Sequence, residues 1–221
     1  HMFQVMSLKE DDEVTLVFDD GIKHLARVLD VENRQFELVE KLADNVELPI
    51  QVTIASGFPK GDKLEFITQK VTELGASQIW SFPADWSVAK WDGKKLGKKV
   101  EKLEKIALGA AEQSKRNVVP SIQLFDKKVD FLAQLDQFDS IVVAYEESAK
   151  EGEAAALLQT VSGLEKGAKL LFIFGPEGGL SPAEIESFEA KEAVLAGLGP
   201  RILRAETAPL YALSALSVLL E

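Results

Sequence analysis

The sequence predicts an α/β protein in two parts, a small antiparallel β unit over residues 1–48 and a mostly parallel α/β domain over residues 49–221. Two patterns carry this. Up to about residue 48 apolar and polar residues alternate in strand fashion between short turn clusters, and beyond Pro49 short apolar runs alternate with helix-periodic stretches. A third observation marks a functional centre: in FIFGPEGGLSPAEIE, residues 172–186, an apolar run enters a glycine turn with a carboxylate, Glu177, in its middle.

In the first part EVTLVFDDG, HLARVLDV and RQFELVEKL read as three strands joined at Asp19-Asp20-Gly21 and Glu32-Asn33-Arg34, a series expected to curl into a partly closed barrel. In the second, QVTIAS, QIWSFP, SIVVAYE, KLLFIFG and the short AVLAGLG read as strands. Between and after them DKLEFITQKVTELG (closed by Gly75), KKVEKLEKIALGAAEQSKR, PAEIESFEA and APLYALSALSVLL read as helices. The uninterrupted apolar run LLFIF suits a central parallel strand covered on both faces.

Composition narrows the chemistry. With 221 residues, 46% of them hydrophobic, the chain can bury real cores. No run approaches the ~18 consecutive apolar residues of a membrane helix, and the first residues lack a secretion-signal layout, so a soluble, cytoplasmic chain without membrane contact is expected. There are no cysteines and only two histidines, His1 and His24, so no disulfide and no metal site is expected. Chemistry falls to carboxylates, arginines, backbone and a ligand. The net charge of −11 argues against nucleic acid as a partner, yet residues 90–128 hold eleven basic residues against five acidic ones. That stretch is either a local basic face or a solvated lysine-rich helix.

Ligands of open α/β sheets sit beyond the carboxyl ends of the strands, where Gly175, Pro176, Glu177, Gly178 and Gly179 fall. The turn lacks GxxxxGK[ST] and GxGxxG, and Glu177 would repel phosphate. It suits close backbone approach to an uncharged, flat or cationic ligand such as an adenosine-sulfonium, or else a tight turn with no ligand. In LGPRILRAETAPLYALSAL, residues 198–216, Gly199-Pro200 makes a turn, and Arg201 and Arg204 flank two apolar residues. Glu206 or Thr207 can cap the helix that Pro209 helps to start. Capping leaves the two arginines unexplained.

GPEGGLSPAEIE followed some twenty residues later by LGPRILRAETA, together with KGDKLEFITQKVTELGAS at 60–77 and AAEQSKRNVVP at 110–120, resembles the RsmE-type 16S ribosomal RNA uridine N3-methyltransferases of the SPOUT superfamily. The resemblance covers nearly the whole chain. It implies a PUA-like β-barrel over residues 1–48, expected to lack its first strand, and a SPOUT methyltransferase domain over 49–221 whose last segment forms a trefoil knot. It also implies a homodimer that holds S-adenosylmethionine and acts on 16S RNA within the 30S subunit. The cofactor loops carry over to Tyr145 and Glu146, to Gly175–Gly179, and to Leu198, Gly199, Arg201, Ile202 and Leu203. Two positions depart from the family pattern: Ser7 and Trp86 stand where arginine is common, which bears on RNA contacts rather than on the cofactor.

Methylating uracil N3 requires loss of a weakly acidic proton, so a base, or positive charge that stabilises the uracil anion, is needed. Arg204 and Glu206 are the expected catalytic pair, with Arg204 stabilising the anion and Glu206 orienting Arg204 or accepting the proton; a structural salt link in the loop is the alternative. Arg116 is a candidate phosphate or base contact, or an exposed surface arginine. A non-catalytic RNA-binding protein and a methyltransferase of another RNA site are the rival functions.

Overall fold

The computed structural model describes residues 8–145 and 154–221, with side chains in the second span from Leu157 onward. They form two compact units: the chain up to Glu47 together with Lys115–Val118, and Leu48–Ser114 together with Val119–Glu221.

The first unit is an antiparallel sheet of β1 (Glu13–Val17), β2 (Lys23–Asp30) and β3 (Gln35–Lys41) with β2 in the middle. Gly21 at φ +71° and Arg34 at φ +53° turn the chain at the two expected hairpins. Among the described residues these three strands stay an open sheet rather than a closed barrel. Ala26 and Val28 of β2 are fully buried, while Phe18, Leu38 and Val39 are exposed. The four-residue segment Lys115–Val118 joins this unit through its side chains. Asn117 Nδ2 donates to the Gly21 and Asp44 carbonyls at 2.9 and 3.2 Å, and its Oδ1 accepts from the Val46 amide at 3.1 Å.

The second unit is built on a six-stranded parallel sheet. In chain order its strands are β4 (Gln51–Gly57), β5 (Gln78–Phe82), β6 (Ser121–Leu124), β7 (Ser140–Ala144), β8 (Lys169–Phe174) and β9 (Val194–Ala196). They lie side by side as β6-β5-β4-β8-β7-β9. Its helices are α1 (Lys63–Glu73), α2 (Gly93–Gln113), α3 (Lys128–Leu132), α4 (Ala154–Ser162), α5 (Pro182–Glu189) and α6 (Ala208–Leu220).

The two-residue period of β8 separates two cores. Leu170, Phe172 and Phe174 face a core shared with Ile54, Ile67, Val71, Leu213 and Leu216, whereas Leu171 and Ile173 face one shared with Trp80, Phe82, Phe131 and Phe188. An all-apolar strand is therefore what this central position requires.

Helix α2 begins five residues earlier than the sequence suggests. Gly93 and Gly97 dilute helix propensity there, but Asp92 caps the helix, accepting from the Lys95 amide at 3.0 Å, and Leu96 is buried. The elements β6, α3 and α4 are too short or too weakly periodic to be read from the sequence. Helix α5 carries a full capping box, Ser181 with Glu184, and Pro182 at its start.

Candidate active site

The chain leaves β4 toward β5 on one side, and leaves β8 through α5 toward β9, beyond β7, on the other. Strands β4 and β8 thus flank the switch point of the sheet, the crevice where open α/β sheets bind ligands. The backbone is tightly packed at this crevice. A Cβ on Gly57, at the end of β4, would stand 2.6 Å from Pro176 Cδ, and one on Gly175 would stand 2.8 Å from the Gly179 carbonyl carbon. Glycine at these two positions lets the glycine turn fold back against β4.

The turn's carboxylate is engaged by the protein itself. Glu177 Oε1 accepts from the Lys60 amide at 3.1 Å and pairs with Lys63 Nζ at 3.0 Å. Lys63, at the first position of α1, also lies 3.0 Å from Glu206 Oε2. That second contact is an ion pair without the angles of a directed hydrogen bond. One ammonium thus ties the turn after β8 to the loop before α6, and it is a residue that sequence reasoning missed. Its only signal was being one of the two lysines in KGDKLEF.

Burial, the largest single influence, pushes both carboxyls up, but Lys63 together with backbone amides holds Glu177 and Glu206 below the ordinary 4.5, with Arg204 adding to the effect at Glu206. The two carboxylates, Glu177 first, raise Lys63 above 10.5. The cluster is therefore fully ionised at neutral pH, its stabilisation complete above about pH 4.5 and lost as pH falls through the lowered folded values. In Lys63→Met the ammonium that opposes burial is gone, leaving backbone amides at both carboxylates and Arg204 beside Glu206, so both carboxyls rise relative to the parent. Acid unfolding followed by circular dichroism is expected to begin at a higher pH in that variant. Coincident acid transitions would refute the coupling.

The Arg204–Glu206 pair expected from the sequence is not an ion pair. Glu206 turns to Lys63, while the Arg204 side chain is exposed and has no bonded partner among the described residues. The Arg204 carbonyl accepts from the Thr207 and Ala208 amides at 2.8 and 3.0 Å, starting α6, and Thr207 makes no side-chain cap.

Beside this cluster, at the carboxyl ends of β7 and β9, lies an open pocket of about 100 Å3 lined by Ala144, Tyr145, Leu198, Gly199, Arg201, Ile202, Leu203 and Ala208. Two of the three expected cofactor loops meet here. Ala144 and Ala208 were not anticipated. None of Gly175, Pro176, Glu177, Gly178 and Gly179 lines the pocket, and Glu146 lies outside the described residues. Gly199 sits at φ +91°, in the left-handed region that a β-branched residue avoids. Gly199→Val is expected to weaken ligand binding at least about tenfold by calorimetry, through strain and a side chain at the pocket wall. Gly178→Val would instead meet Trp86, whose Cβ would be 3.0 Å from the new Cβ.

Arg116 is not on the surface. Its side chain is 2% exposed and its Nε donates to Glu47 Oε1 and Oε2 at 2.9 and 3.0 Å, with a further Nη2 bond to the same carboxylate. Both residues belong to the first unit, whereas the pocket belongs to the second. A phosphate or base contact by Arg116 is accordingly withdrawn: the guanidinium is spent inside the protein.

Among the described residues no cluster of three or more histidine or acidic side chains could hold a metal ion, and no helix is long and apolar enough to cross a membrane.

The fold and this pocket define an α/β methyltransferase acting on RNA, with an N-terminal PUA-like domain: residues 46–217 match the family model described as an RNA methyltransferase domain, and residues 1–41 match the one described as an RNA methyltransferase PUA domain. The ribosomal RNA small subunit methyltransferase E of Bacillus subtilis is 49% identical over 219 residues, covering 98% of this chain and 86% of that protein. The chain belongs to the ribosomal RNA small subunit methyltransferase E family. A Neisseria gonorrhoeae methyltransferase E structure bound to S-adenosyl methionine superposes with TM-score 0.82 at 26% identity, over 98% of this chain and 87% of that one. A Legionella pneumophila putative methyltransferase in complex with the same cofactor gives 0.79 at 26% identity, over 99% of this chain and 87% of its own.

Proposed function

We propose that this chain is an S-adenosylmethionine-dependent methyltransferase that methylates N3 of a uridine in 16S ribosomal RNA within the 30S subunit, working in the cytoplasm as a homodimer, with its C-terminal segment drawn through a loop as a trefoil knot. The observation that carries this reading is the pocket formed where Tyr145 and the loop Leu198–Leu203 converge at the strand ends, beside an ionised loop bearing an unpaired arginine.

The pocket residues fit the cofactor. Small and apolar side chains at Ala144, Leu198, Ile202, Leu203 and Ala208 suit a flat adenosine, and Gly199 admits close backbone approach. Among the described residues no carboxylate that would need to be desolvated lines the pocket. When bound, S-adenosylmethionine supplies an electrophilic methyl group. The protein's part is then to hold the uracil and favour loss of its N3 proton. Arg204, exposed next to the pocket loop, is suited to stabilise the negative charge that develops on the base. Glu206, held ionised below its ordinary range, is a poor proton acceptor; its part is to fix the 204–207 loop against Lys63.

The test is methylation of 30S particles from cells lacking the gene, with purified protein and S-adenosylmethionine, followed by mass spectrometry of the RNA. A single methyl on N3 of a uridine in 16S RNA is expected. A ribose methyl, or cofactor binding without transfer, would overturn the reading.

A further inference from the structure

Trp86 is half exposed, at 49%, on a segment otherwise fastened at both ends. On one side the Asp85 amide donates to Glu184 Oε1 at 2.9 Å, the Asp85 carboxylate accepts from Ser181 Oγ at 2.6 Å, and Lys128 pairs with it. On the other, Trp91 packs against Phe58 with ring centroids 4.3 Å apart and planes tilted by 34°, and Lys99 Nζ lies 4.6 Å over the Trp91 ring. Between these anchors the Trp86 side chain lies on bare backbone. A Cβ on Gly178 would stand 3.0 Å from Trp86 Cβ, and one on Gly179 would stand 4.0 Å from its Cε3 and Cζ3. The two glycines therefore make room for an indole and leave much of it in solvent, an arrangement that burial of apolar area alone does not favour. Following it in the chain, Lys90, Lys94 and Lys98 are exposed and enter no ion pair among the described residues.

We propose that Trp86 is a stacking platform for one unpaired RNA base, seated on the glycine turn, with Lys90, Lys94 and Lys98 drawing in the flanking phosphates. A fixed aromatic ring gives a base area to stack on at little entropic cost, and free ammonium groups supply sequence-independent attraction. The partner is single-stranded RNA because an exposed aromatic face is followed in the chain by exposed, unpaired positive charge in a protein whose net charge is −11. This inference rests on the RNA methyltransferase reading above.

The experiment titrates the full chain with a twelve-residue oligouridylate and with an abasic strand of equal length, reading tryptophan fluorescence and affinity. Quenching by the oligouridylate alone is expected, since Trp80 is buried and Trp91 is covered by Phe58 and Lys99. Trp86→Leu is expected to lose the quench and to bind oligouridylate about 5- to 150-fold more weakly, while binding the abasic strand as the parent does. Trp86→Phe should retain most of the affinity. Equal affinity of the parent for both strands, or undiminished oligouridylate binding by Trp86→Leu, would overturn the platform. S-adenosylmethionine binding, measured on the same samples, separates the two readings: its absence beside an intact quench defeats the methyltransferase assignment and spares the platform.

Discussion

Arg204→Ala is expected to lower turnover on 30S particles about 10²- to 10³-fold, the loss typical of removing one positioned donor from a site of developing negative charge, while S-adenosylmethionine affinity stays within about twofold. Arg204 is exposed and its side chain holds no other residue, so its removal costs the fold little. Glu206→Gln is expected to be milder in turnover, because an amide dipole can still face Lys63 and because the lowered carboxyl is a weak base to begin with. Single-turnover rates compared with calorimetric cofactor affinities check this. A Glu206→Gln loss as large as that of Arg204→Ala would make Glu206 the proton acceptor after all.

Arg116→Ala should act on stability instead. Removing one partner of a buried ion pair costs about 3–5 kcal/mol, and the low end, about 3 kcal/mol, is expected here. Glu47 keeps the Asn117 and Val118 amides, at 2.8 and 3.1 Å, and is itself 17% exposed. Denaturant unfolding should show the first unit weakened, with S-adenosylmethionine binding retained by the second. Loss of RNA methylation with unchanged stability would instead restore Arg116 as a substrate contact. Within this unit the same carboxylate that pairs with Arg116 caps the chain at Asn117 and Val118, so Glu47→Ala is expected to be at least as damaging.

The sequence by itself determined the α/β class and every strand of the central sheet but β6, and its family resemblance pointed to two of the loops that meet at the pocket. The class and the strands follow from local signals. LLFIF is apolar throughout because β8 is covered on both faces, the glycines and Pro200 mark where the backbone must turn, and the motif pair GPEGGLSPAEIE and LGPRILRAETA is long enough to carry a family. What the sequence could not contain is which charged groups meet. Arg204 and Glu206 are two residues apart and invite pairing, yet Glu206 pairs with Lys63, 143 positions earlier, because α6 packs beside α1 and brings the loop before α6 to the start of α1. Arg116 lies in a basic run and invites an RNA contact, but Glu47 claims it inside the first unit. Gly178 invites a cofactor and carries an indole. Backbone conformation answers to nearest neighbours, whereas an ion pair answers to distance in space. Only the tertiary fold sets that distance.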